Sequence, residues 1–86
     1  LPAGVVIKVM VHAFIMVKTH AASSADLLGL VRELSPVTEA HIVAGAYDII
    51  VEVESEGVYE VLQTAASEIQ SFDGVADTKT YISLED

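Results

Sequence analysis

The stretch VTEAHIVAGAYDIIVEVE, residues 37–54, decides the fold. Its flanks, Val37 to Ala44 and Tyr47 to Glu54, alternate apolar and polar residues as half-buried strands do, the second most clearly from Ile50 onward. Gly45-Ala46 leaves room only for a tight reversal, so the flanks are expected to pair as an antiparallel hairpin. Upstream, Ser35-Pro36 ends a helix, because a proline disfavours helical geometry at the residue before it. That helix carries Leu27, Leu28, Val31 and Leu34 on one face. Ser23 or Ser24 is placed to cap it, and Asp26 sits where the helix dipole favours a negative charge. Before it, VHAFIMVKT (Val11 to Thr19) is a continuous apolar run of one strand's length. Downstream of the hairpin, Ser55-Glu56-Gly57 opens a second helix with Val58, Val61, Leu62, Ala65, Ile69 and Phe72 along one face. Asp73-Gly74 stops that helix. Ala76 to Leu84 makes the last strand, and Glu85-Asp86 a frayed tail.

The order β-α-β-β-α-β, with a helix in each right-handed crossover, predicts an α+β ferredoxin-like sandwich. Its four-stranded antiparallel sheet carries two helices on one face. Alternation assigns Ala13, Ile15, Val17, Ala40, Ile42, Ile49, Val51, Val53 and Ile82 to the covered face. The opposite face receives Phe14, Met16, His41, Val43, Ile50 and Tyr81, rimmed by His12, Lys18, Glu39, Glu52 and Lys79. An apolar centre with a polar rim is large for a monomer's exposed patch and has an interface's composition. A two-fold dimer packed sheet to sheet through Phe14, Met16, His41, Val43 and Tyr81 is therefore expected.

Bulk properties agree with one small domain. Eighty-six residues bury too little surface to make a robust monomer, and 52% are hydrophobic. Residues 1–9 read as an N-terminal extension or expression remnant before a natural initiator at Met10, which leaves 10–86 as the domain. Thirteen acidic residues against four basic ones give a net charge of −9. Such a chain cannot assemble the basic patch that phosphate neutralisation needs, so direct nucleic-acid binding is not expected. The acidity suits ordinary solubility or, as a sharper reading, a halophilic cytosol. The chain has no cysteine, so disulfides and thiolate chemistry are excluded, in keeping with a cytoplasmic setting. No apolar run is long enough to span a membrane, and no signal peptide is evident.

Three segments carry a family resemblance: the first strand VHAFIMVKT, the hairpin Val43-Ala44-Gly45-Ala46-Tyr47-Asp48-Ile49-Ile50, and the ending Gly74-Val75-Ala76-Asp77-Thr78-Lys79-Thr80-Tyr81. Together they resemble the effector-binding (RAM) domain of the Lrp/AsnC transcription regulators over residues 10–86. The chain lacks the N-terminal helix-turn-helix usual there and is similar to the stand-alone members. The resemblance implies a free amino acid as effector, sheet-to-sheet homodimers closing into octameric or similar rings, and full-length Lrp/AsnC regulators as partners. It places the effector between dimers, at Gly45, Ala46, Tyr47, Asp48, Thr78 and Thr80. These groups have suitable chemistry: Asp48 for the ammonium, amides near Gly45 and Ala46 for the carboxylate, threonine hydroxyls for further hydrogen bonds. Gly45 and Asp48 are equally explained as turn formers, Gly45 through a positive φ, and the threonines as ordinary strand residues.

Two other classes of function fit the same fold. A small dimeric barrel enzyme, of isomerase or oxygenase type, would draw on His12, His41 and Tyr81 with Glu39 and Glu52. A structural adaptor would oligomerise and bind nothing small. No catalytic residue, cofactor or metal is expected, because no His-x-His or His-Glu-x-x-His spacing, glycine-rich phosphate loop or nucleophile elbow occurs.

Overall fold

In the computed structural model, which describes residue 4, residues 10–21 and residues 23–84, the first strand β1 spans Val11–Thr19. It is followed by α1 (Ser24–Arg32), β2 (Val37–Ile42), β3 (Ile49–Ser55), α2 (Val58–Gln63) and β4 (Val75–Ile82). Between α2 and β4 the helix continues as a π-helical segment, Thr64–Ile69. The expectations for residues 1–9 other than Gly4, and for Glu85-Asp86, lie outside the described residues. The sheet order is β2-β3-β1-β4, antiparallel throughout, which is the ferredoxin-like α+β sandwich. No helix among the described residues is long and apolar enough to cross a membrane.

Register sorts the side chains. Ile15 in β1 lies opposite Val51 in β3 and Thr80 in β4, and Ala40 in β2 lies opposite Val51. Ile15, Val51 and Ala40 of this row and their neighbours Ala13, Val17, Ile49 and Val53 are buried beneath the helices together with Leu27, Val31, Val61, Ala65 and Ile69. Each buried valine, leucine or isoleucine among them contributes about 1.5–3 kcal/mol through burial. The alternate row runs Glu39–Glu52–Phe14–Tyr81 across the sheet, and the next runs His41–Ile50–Met16–Lys79. Both belong to the open face, where Phe14 is 38% and Tyr81 56% exposed.

Several local expectations need correction. Ile42 is half exposed, because it ends the edge strand β2. Val58 and Leu62 are likewise exposed, while Thr64 is buried beside Ala65. Thr64 enters the core because its hydroxyl donates to the Glu60 carbonyl at 3.0 Å. Such back-bonding distorts a helix, and here it coincides with the onset of the wider π-helical turn. Ser23 precedes α1 without a capping side-chain hydrogen bond. It packs against Gly74 instead. Gly74 has φ +96°, and an added Cβ there would lie 2.9 Å from the Ser23 Cβ and Oγ and 3.3 Å from Leu27 Cδ1. The Gly74 carbonyl also accepts from the His20 N–H at 2.8 Å.

Along β2, at one edge of the sheet, Arg32 from the end of α1 reaches the Ala40 carbonyl with Nη2 at 2.8 Å and Nε at 3.3 Å. The helix is thereby tied to the outer strand.

Candidate functional site

The connection from β2 to β3 is longer than the tight hairpin read from the sequence. Residues 43–48 form an irregular loop closed by the Val43 N–H donating to the Asp48 carbonyl at 2.8 Å. Gly45 does not have a positive φ, and a Cβ added to it would meet nothing within 4 Å. Neither turn geometry nor packing within the chain requires glycine here. Ala44, Gly45 and Ala46 are exposed, and Tyr47 and Asp48 half-buried.

The loop is anchored from β1 at three points. The Asp48 N–H donates to the Val17 carbonyl at 2.9 Å. The Asp48 carboxylate accepts, on Oδ2, the Thr19 backbone N–H at 2.8 Å and the Thr19 hydroxyl at 3.2 Å. Lys18 Nζ donates to the Ala46 carbonyl at 3.1 Å. Asp48 thus has an evident structural task in the single chain, and both carboxylate bonds fall on one of its oxygens.

Hydrogen bonding to the ionised form holds the Asp48 carboxyl below its ordinary value of 3.8. The Thr19 backbone N–H is the main cause, opposed in part by desolvation and helped by the Thr19 hydroxyl and the Lys18 charge. A carboxyl depressed in the folded state stabilises it above the unfolded pKa, and that contribution is lost as pH falls through the folded value. The anchor should therefore release only below 3.8. Following the Asp48 side-chain carbon by NMR through an acid titration checks this. A midpoint at or above the ordinary value would show that the Thr19 bonds do not persist in solution.

Thr78 and Thr80 lie on β4 with their side chains toward the helix-covered side, in the rows of Val17 and Ile15. Both are half-buried, and the Thr78 hydroxyl accepts from Gln70 Nε2 at 2.8 Å. Val17 pairs with Thr78 on one side and Ile49 on the other. The loop and Thr78 therefore share one end of the sheet, two strand spacings or roughly 10 Å apart. At that separation the loop and Thr78 are not in direct contact.

On the open face Phe14 and Tyr81 are neighbours in register, as are Met16 and Ile50. His41 is exposed on β2, and Val43 lies just beyond that strand. His12 stacks on Phe14 with ring centroids 6.0 Å apart, and its Nε2 lies 3.7 Å from Glu54 Oε1. The residues of the enzyme reading do not all meet. His41 and Tyr81 stand on opposite edge strands, roughly 14 Å apart at three strand spacings. What the sequence reading passed over is the meeting of Glu39, His41 and Glu52. One ligand atom from each lies within 4.8 Å of the others. The i, i+2 spacing of Glu39 and His41 on a strand was the available signal; Glu52 joins only through register.

Comparison with solved structures places this architecture. TTHA0845 of Thermus thermophilus matches at 26% identity with a TM-score of 0.84, over 88% of this chain and 95% of that one. FFRP-DM1 matches at 30% identity and TM-score 0.80, over 86% and 99%. AsnC of E. coli matches at 26% identity and TM-score 0.81 over 99% of this chain, which spans 62% of the AsnC chain. Among curated proteins none is similar in sequence. The model of the Lrp/AsnC ligand binding domain matches residues 12–86. That family's domain is an effector-binding module of transcription regulators rather than an enzyme. With the match running from β1 to the last residue, this chain belongs to the Lrp/AsnC family and carries its ligand-binding domain.

Proposed function

We propose that the domain binds a free amino acid between dimers and relays that binding, in the cytoplasm, to partner Lrp/AsnC regulators without itself contacting DNA. The dimer forms through Phe14, Met16, His41, Val43 and Tyr81 on the open face, and dimers close into an octameric or similar ring. The effector contacts are Gly45, Ala46, Tyr47 and Asp48 in the loop, with Thr78 and Thr80. The single observation that carries this reading is the loop. It is clamped to β1 by Asp48 and Lys18, yet displays a glycine that nothing inside the chain demands. A small, fixed, outward-facing backbone segment suits close approach by a ligand or a neighbouring subunit. Val58, Tyr59 and Leu62, exposed at 44%, 73% and 50% on α2, give a second apolar surface for contacts between dimers. The net charge of −9 supports the absence of DNA contact.

Asp48 supplies the charge for the effector's ammonium through the carboxylate edge that Thr19 leaves. Asp48→Asn keeps an oxygen for Thr19 and removes the charge, so the loop should hold while binding fails. Losing a charge-assisted hydrogen bond worth about 1.5–3 kcal/mol weakens binding roughly 10- to 150-fold. Calorimetric titration of wild type and variant against a panel of amino acids tests this. Full binding by Asp48→Asn would remove the charge role, and a wild type that binds no amino acid would favour an oligomerising adaptor.

A further inference from the structure

Glu39 and His41 stand two apart on β2 and project to the open face, with Glu52 of β3 directly opposite Glu39. Glu39 and His41 are exposed and Glu52 half-buried, and their nearest ligand atoms lie within 4.8 Å of one another. His41 Nε2 is 3.2 Å from Glu39 Oε1. Like charges facing each other across an antiparallel pair repel. The described cations are engaged or placed elsewhere. Arg32 is bonded to the Ala40 carbonyl and Lys18 to that of Ala46. Lys79 stands on β4 at the far edge of the sheet, roughly 14 Å across. The trio brings two carboxylates and one imidazole together in a small space.

We propose that Glu39, His41 and Glu52 form a binding site for a divalent transition-metal ion of the zinc class. The donor set is one imidazole nitrogen and two carboxylate oxygens, which suits zinc-like ions and is poor for magnesium or calcium, whose sites are built from oxygens. Zinc bonds of about 2.0–2.2 Å place tetrahedral ligand atoms roughly 3.3–3.6 Å apart. The observed spacing closes to that value by rotation of flexible glutamate side chains, with the paired strands unmoved. Three protein ligands leave a fourth position; because His41 is also one of the proposed sheet-to-sheet dimer contacts, that position faces the partner sheet when the dimer forms. The site needs nothing from the loop at residues 43–48, so it stands whether or not an amino acid binds there.

The test uses tag-free, metal-stripped protein. Calorimetric titration with Zn²⁺ should give saturable binding at one ion per chain, and Co²⁺ should develop the intense visible bands of a tetrahedral site. His41→Ala and Glu52→Gln should each weaken Zn²⁺ binding by at least about tenfold, the loss expected when a metal site's support is cut. His20→Ala, in the connection before α1, should bind as wild type. Circular dichroism and sedimentation velocity of the metal-free variants confirm that fold and oligomeric state match wild type, so that a loss of affinity reports the ligand and not the dimer contact that His41 also makes. No saturable Zn²⁺ binding, or undiminished affinity in His41→Ala, would overturn the proposal. Equal affinity for Mg²⁺ would overturn it too, since charge alone would then explain the binding.

Discussion

Under the proposed sheet-to-sheet pairing, Phe14→Asp is expected to leave a 9.1 kDa monomer. Phe14 sits in the central strand β1, between Glu52 of β3 and Tyr81 of β4, on the face the helices leave bare. In a two-fold pairing of sheets it lies near the middle of the contact and appears once from each side. Central aromatic anchors commonly cost at least about 2 kcal/mol each when removed. Two of them, with a carboxylate brought to an apolar surface, weaken the dimer by about a thousandfold or more. The side chain is 38% exposed in the single chain, so the substitution spares the core and the monomer should remain folded. Sedimentation velocity at micromolar concentration separates the outcomes. A wild type that already runs as a monomer would refute sheet-to-sheet pairing, and an unchanged mass for Phe14→Asp would move the interface to another surface.

The second large effect is on stability. Gly74→Ala should cost about 2–3 kcal/mol, combining a left-handed backbone with overpacking. For a domain of this size that lowers Tm by roughly 10–20 °C. The backbone at φ +96° suits glycine, and the new methyl would press on Ser23 and on Leu27, which is 2% exposed. Relief would require moving the start of α1. Gly45→Ala provides the contrast: with no positive φ and no atom within 4 Å of the added Cβ, its Tm should stay near wild type. Thermal unfolding of the pair compares two glycines of the same sequence with opposite duties. A Tm for Gly74→Ala within a few degrees of wild type would mean that the β4 entry relaxes freely.

The contrast also marks where sequence reading succeeds. Val11–Thr19 was legible to the residue, because an uninterrupted apolar run in a short chain has few places to go except the middle of the sheet. Element order followed from helix and strand periods that differ sharply. The loop at residues 43–48 was misread as a tight turn, since Gly45 carries a turn signal that the backbone does not use. Val58 and Leu62 misled for another reason. Burial of Thr64, its hydroxyl satisfied by Glu60, rotates the helix away from the stripe that hydrophobicity alone selects. Asp48 was recognisable as special, but its bonds to Thr19 join positions 29 apart and no spacing rule reveals them. The Glu39–His41–Glu52 grouping is of the same kind, half written along one strand and completed by its neighbour.

The hold of Arg32 on the Ala40 carbonyl bears on how copies of this chain meet in a crowded cell. An exposed strand margin is a template on which further strands add without end, the route to ribbons and fibrils. Here a side chain of the same molecule already occupies an acceptor on that margin. Growth by lateral stacking at β2 would first have to dislodge a charged, doubly bonded guanidinium. Under the proposed sheet-to-sheet pairing, association at the open face satisfies itself and stops. A strand edge so occupied favours association that terminates over association that propagates.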